Sequence, residues 1–147
     1  MERYLPHRDP FLFVDDVTVL RGGQLFVGHR VFRDGDFFFA GHFPGNPVVP
    51  GVILLEAMAQ CGGAGLVKAG TFPEGSGFAL MSFERARFHR PVRPGEQVDF
   101  DIEVEKTRRS VVRLGMRCSV DGELAAEATC TSMVIPPTKG AASGGAV

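Results

Sequence analysis

The clearest periodicity in the chain lies in its second half. Val98, Phe100, Ile102 and Val104 alternate with Asp99, Asp101, Glu103 and Glu105. A period of two puts the apolar set on one face and the acids on the other, which predicts a half-buried strand. Val112, Leu114, Met116, Cys118 and Val120 repeat the pattern, with Arg113 and Arg117 out of phase. Asp121–Gly122 is a hairpin dipeptide, and Leu124 to Ile135 is expected to return as the last strand. Upstream, Phe78 to Phe88 predicts a further strand, and the Pro91–Pro94–Gly95 cluster turns the chain. Near the start, Val14 to Leu20 and Leu25 to Phe32 predict two strands joined by a turn at Gly22–Gly23.

One segment has a different period. Val52 to Lys68 is apolar on all sides, which predicts a buried helix rather than a surface one. Pro44, Pro47 and Pro50 bar a regular helix before Gly51. Gly62, Gly63 and Gly65 fall inside it, and glycine costs up to about 1 kcal/mol relative to Ala in a helix. The expected compensation is close packing, because a helix wrapped by a sheet needs small residues where backbones approach. Antiparallel strands around one buried helix define an α+β domain, spanning residues 1–135. The tail, 136–147, is rich in Pro, Gly, Ser and Ala and is expected to be disordered.

Composition adds limits. A chain of 147 residues is expected to form one domain with a real core. A net charge of −1 gives no global field favouring nucleic acid or acidic membranes. Met1–Glu2–Arg3–Tyr4 lacks a signal-type apolar stretch, and no uninterrupted apolar segment reaches membrane-spanning length, so a cytoplasmic protein without membrane insertion is expected. Cys61, Cys118 and Cys130 are widely spaced and odd in number, which fits buried, reduced thiols. No Cys or His spacing suggests a metal.

The candidate chemistry gathers around the helix start. Glu56 is one carboxylate in an otherwise apolar run, and a Glu is rarely buried without a partner. Apolar surroundings can keep it protonated, whereas a helix N-terminus one turn away favours its anion, so burial and dipole push its pKa in opposite directions. His42 sits just ahead of the proline-stiffened loop, and imidazole titrates near neutral pH. The two make a candidate acid/base pair. Gly51 and Val52 open the helix, where free N–H groups can meet an anionic oxygen. Gln60 lies one turn after Glu56 on the same face and can hold the carboxylate or a water. His7, His29 and His89 are read as structural or surface groups.

The run from His42 to Gln60 resembles the pattern H-F-P-x-x-P-x-x-P-G-V-x-x-x-E-x-x-A-Q of the FabZ-type 3-hydroxyacyl-acyl-carrier-protein dehydratases. Leu5–Pro6–His7–Arg8 with Pro10–Phe11–Leu12, the segment Arg90 to Gly95, and Val120–Asp121–Gly122 with Ala125 to Ala128 resemble further signatures of that family. The resemblance runs from Leu5 to Ile135. It implies a hot-dog fold, in which an antiparallel sheet wraps one long helix. It also implies a homodimer or a trimer of dimers, and no organic cofactor or metal. His42 would be the base and Glu56 the acid, contributed by different subunits. The substrate would be a 3-hydroxyacyl chain on the phosphopantetheine of acyl carrier protein, in fatty acid or polyketide-like biosynthesis. Arg85, Arg87, Arg90 and Arg93 then become candidates for docking the acidic carrier, with Arg108, Arg109 and Arg113 as a second patch. The related FabA-type enzymes carry Asp where this chain has Glu56. Asp9 and Val49 depart from the residues usual at those positions, which bears on the substrate tunnel rather than on the acid/base pair. A hot-dog acyl thioesterase and a non-catalytic acyl-thioester-binding protein are the alternative readings.

Overall fold

A computed structural model describes residues 1–138. Six strands form one antiparallel sheet: β1 (Asp16–Leu20), β2 (Leu25–Val31), β3 (Gly77–Phe88), β4 (Gln97–Arg108), β5 (Val111–Val120) and β6 (Glu123–Ile135). Their order across the sheet is β1-β2-β4-β5-β6-β3. The helix α1 (Gly51–Lys68) lies against β1, β2, β4, β5 and β6. This is the expected α+β architecture. Residues 139–147 of the predicted tail lie outside the described residues.

The alternation expected from the sequence sets which face of the sheet meets the helix. Val98, Phe100 and Ile102 of β4 are buried, as are Val112, Leu114, Met116, Cys118 and Val120 of β5. Register shifts in the β3/β6, β4/β5 and β5/β6 pairs mark bulges, which increase the local bend of a sheet. The first strand starts two residues later than expected, at Asp16. Phe13 and Val14 still enter the core, from the segment ahead of it. By length and composition α1 could cross a membrane, but most of it is buried inside the domain.

The helix glycines have the reason their positions suggested. A Cβ on Gly62 would collide with the Leu114 side chain, and one on Gly63 would stand 3.0 Å from Phe78. A Cβ on Gly65 would overlap the ring of Phe26, which is fully buried. All three cysteines are buried and unpaired. Burial pushes the Cys118 thiol up to about 12 and the Cys61 thiol higher still, so both stay protonated at neutral pH.

β3 ends the sheet, and its outer edge has no strand partner among the described residues. Leu80 and Met81 on it are more than half exposed. An unpaired, apolar edge is a template for a further strand.

Candidate active site

Glu56 is held by one hydrogen-bond donor and lies within ion-pair distance of a second group. Gln60 donates from Nε2 to Glu56 Oε1 at 2.9 Å. The amide of Gln60 is itself fixed, since its Oε1 accepts the Phe13 N–H at 2.8 Å and its Nε2 also donates to the Phe11 carbonyl at 3.1 Å. Only one orientation of the amide satisfies the Phe13 donor, so the NH2 group must face the carboxylate. Gln60 is 2% exposed and is the carboxylate-holding group its position one turn after Glu56 suggested. The second group is His7, whose Nε2 lies 3.3 Å from the same Oε1.

One open point closes here, and one expectation changes. Apolar surroundings do not keep Glu56 protonated. The hydrogen bond with His7 holds its carboxyl below the usual carboxylate range, with help from Gln60, and burial opposes them without prevailing. His7, read from sequence as a structural or surface histidine, sits on this carboxylate. The signal in the sequence was its place in the Leu5–Pro6–His7–Arg8 run; its distance of 49 residues along the chain hid the contact.

His42 occupies a different place. Its Nδ1 lies 2.8 Å from the Val48 carbonyl, which can only accept, so Nδ1 is a donor and, in the neutral ring, Nε2 is the lone-pair nitrogen. The ring stacks on Phe43 with centroids 4.0 Å apart. It faces a cleft of about 420 Å³ shared with Gly51, Leu54 and Phe88. The N–H groups of Gly51 and Val52 donate to no acceptor among the described residues, and Pro50 provides no side-chain cap. The helix therefore opens toward His42 with free donors and the positive end of its dipole. The Phe88 ring lies 2.8 Å from where a Cβ on Gly51 would stand, so glycine lets Phe88 pack against the helix start.

Glu56 does not line that cleft. It borders a separate cavity of about 40 Å³ with His7, Gln60, Phe78, Leu80 and Ser132. That volume admits water and no acyl chain. Leu54 and Glu56 are two residues apart, about 200° around the helix axis. The face of α1 that meets His42 is thus opposite the face that carries Glu56.

The arginines divide. Arg90 borders the His42 cleft and pairs with Glu96 at 2.7 Å and Glu123 at 3.5 Å. Arg93 donates to Asn46 Oδ1 at 2.8 Å and so ties the proline loop in place. Arg87 stands opposite Glu127 in the sheet register. Arg85 points into another depression, among Asp101, Glu103 and Glu127. In the second patch Arg113 is already paired with Glu84 and Glu105. No cluster of metal-ligating side chains occurs among the described residues.

The sheet wrapped around one helix is the hot-dog fold. It is shared with the dehydratase heterocomplex ApeI:P from Xenorhabdus doucetiae, at a TM-score of 0.75 and 20% identity over 94% of this chain and 91% of that one. A mutant thioesterase from Pseudomonas aeruginosa shares it at a TM-score of 0.61 and 15% identity, over 84% and 81%. The FabA-like domain family model matches residues 5–129. Two curated relatives are 3-hydroxyacyl-[acyl-carrier-protein] dehydratases FabZ. The one from Thermomicrobium roseum is 39% identical over 93% of this chain and 91% of its own length. The one from Chloroflexus aggregans is 40% identical over 92% and 93%. The chain belongs to the FabA-like family and, within it, to the FabZ 3-hydroxyacyl-[acyl-carrier-protein] dehydratases.

Proposed function

We propose that the chain removes water from (3R)-3-hydroxyacyl-acyl-carrier protein to give the trans-2-enoyl thioester, in fatty acid or related polyketide-like biosynthesis in the cytoplasm. The observation that carries the mechanism is the Nδ1–H contact of His42 with Val48, which in the neutral ring makes Nε2 the lone-pair nitrogen beside the open helix end. His42 Nε2 takes a proton from C2 of the acyl chain. The electron pair forms the C2–C3 double bond, and hydroxide leaves C3 with a proton from Glu56, as water. Charge growing on the thioester oxygen meets the N–H groups of Gly51 and Val52. Glu56 takes its proton from solvent before the acyl chain displaces water, and that displacement then favours the protonated form, since desolvation already opposes ionisation at that carboxyl.

The active site is shared between two chains. Within one chain His42 and Glu56 border separate cavities, and the free edge of β3, with exposed Leu80 and Met81, offers the joining surface. A homodimer is the minimum unit, and a trimer of dimers extends it. Arg85, Arg87, Arg90 and Arg93 receive the acidic carrier, with Arg90 at the mouth of the His42 cleft.

The test is turnover of carrier-bound 3-hydroxyacyl substrates by wild type, His42→Ala and Glu56→Gln, read by mass spectrometry. Each substitution should cut turnover by roughly a hundredfold or more, the scale of general acid–base catalysis. Near-normal rates in either folded variant reject the assignment, and release of free thiol would point to a thioesterase.

A further inference from the structure

The contact between His7 and Glu56 has no part in the reaction as just described. His7 lies in the N-terminal segment, well before β1 and 49 residues from Glu56 in sequence. The segment is anchored on both sides of the ring. Leu5 is buried in the core, and Arg8 Nη1 donates to the Leu5 carbonyl at 2.8 Å and the His7 carbonyl at 2.7 Å. Held this way, His7 Nε2 reaches Glu56 Oε1 at 3.3 Å. Its other nitrogen, Nδ1, is buried without a hydrogen-bond partner. A proton on Nδ1 would be stranded, so the ring proton belongs on Nε2, where it can be donated to the carboxylate.

Gln60 and His7 converge on the same oxygen. Both contacts fall on Oε1, and no donor among the described residues reaches Oε2. A carboxylate pinned at one oxygen has its plane and its free oxygen fixed. We propose that His7 is a positioning residue, which holds Glu56 Oε1 through Nε2–H so that Oε2 is presented to the leaving hydroxyl of the substrate. This rests on the reading of Glu56 as the acid.

The surroundings keep the effect specific. The titratable groups that bear on Glu56 are His7 from the N-terminal segment and the Cys130 thiol of β6, which burial and the Glu56 charge keep protonated. The strands that border the cavity add Phe78 and Leu80 from β3, Val112 and Leu114 from β5, and the hydroxyl of Ser132 from β6. Removing the His7 donor therefore removes the largest influence stabilising the Glu56 anion.

The experiment follows two readouts in the full-length protein. The Glu56 carboxyl is titrated by 13C NMR with labelled glutamate, its signal assigned by its loss in Glu56→Gln. Turnover on carrier-bound substrate is measured across pH. In His7→Phe the Glu56 midpoint should move to higher pH, which by itself favours the acid form, so a kcat that falls roughly ten- to a hundredfold with little change in KM reads out lost positioning alone. His7→Gln, whose amide places an N–H near the Nε2 position, should recover most of kcat. His7→Asn, whose amide falls short of Oε1, is the second variant should His7→Phe not fold, and it should behave as His7→Phe. An unchanged Glu56 titration, or wild-type kcat in folded His7→Phe or His7→Asn, overturns the proposal. Failure of the acid assignment is read separately: Glu56→Gln would keep near-normal turnover, whatever the His7 spectra show.

Discussion

His42 and Glu56 of one chain lie on opposite sides of α1. Leu54 borders the cleft of His42, and Glu56, two residues on, borders the cavity of His7 and Gln60. A helix advances about 100° per residue, so no local adjustment turns both groups into one pocket. The proposed catalytic pair therefore draws on a second chain only if the site is shared, which complementation decides.

That arrangement predicts complementation. His42→Ala and Glu56→Gln chains should each be inactive alone. In a heterodimer with shared sites, one site keeps both residues and the other loses both. Co-refolding the two variants should restore up to about half the wild-type rate per heterodimer. Verified heterodimers that stay inactive would reject the shared site and, with it, the pairing of His42 with Glu56.

Carrier docking makes a second prediction. Charge reversal at Arg87 and Arg93 should raise KM for carrier-bound substrate and weaken its salt dependence. Short thioester mimics without the carrier should be turned over almost as before. Equal losses on both substrates would assign these arginines to the site or to loop structure, as the Arg93–Asn46 bond would allow for Arg93.

Glu56 should also leave a mark on stability. Its folded carboxyl is held low by His7, so its anion stabilises the native state above the unfolded carboxylate value, near 4.3. That contribution is lost as pH falls through the lower folded value. Urea midpoints of wild type and Glu56→Gln, taken from about pH 5 down to about pH 3, should therefore differ by an amount that shifts against the wild type as pH falls. A constant difference across that range would contradict the His7–Glu56 contact.

Packing supplies the last test. Gly65→Ala gains up to about 1 kcal/mol of helix propensity. The new methyl would overlap the ring of Phe26, which is fully buried. Overpacking a tight core costs about 1–3 kcal/mol, so the steric term should win. Denaturant unfolding should show a net loss of stability, and a gain would mean that Phe26 has room to shift.

The elements were legible in the sequence because each is written in local periodicity. The alternation from Val98 to Glu105 and from Val112 to Val120 fixed two strands and their buried faces. The apolar run after Pro50 fixed the buried helix, and its glycines announced the close approach of Phe26, Phe78 and Leu114. The spacing of His42, Glu56 and Gln60 was enough to mark the candidate site and the Glu56–Gln60 bond, since residues four apart on a helix are neighbours. The partnership of His7 with Glu56 was not legible. It depends on where the N-terminal segment crosses α1, and no local pattern encodes a contact 49 residues long. The charge state of Glu56 followed from that contact. Burial by itself pushes a carboxyl toward protonation, and only the tertiary structure brings in the donors that reverse it.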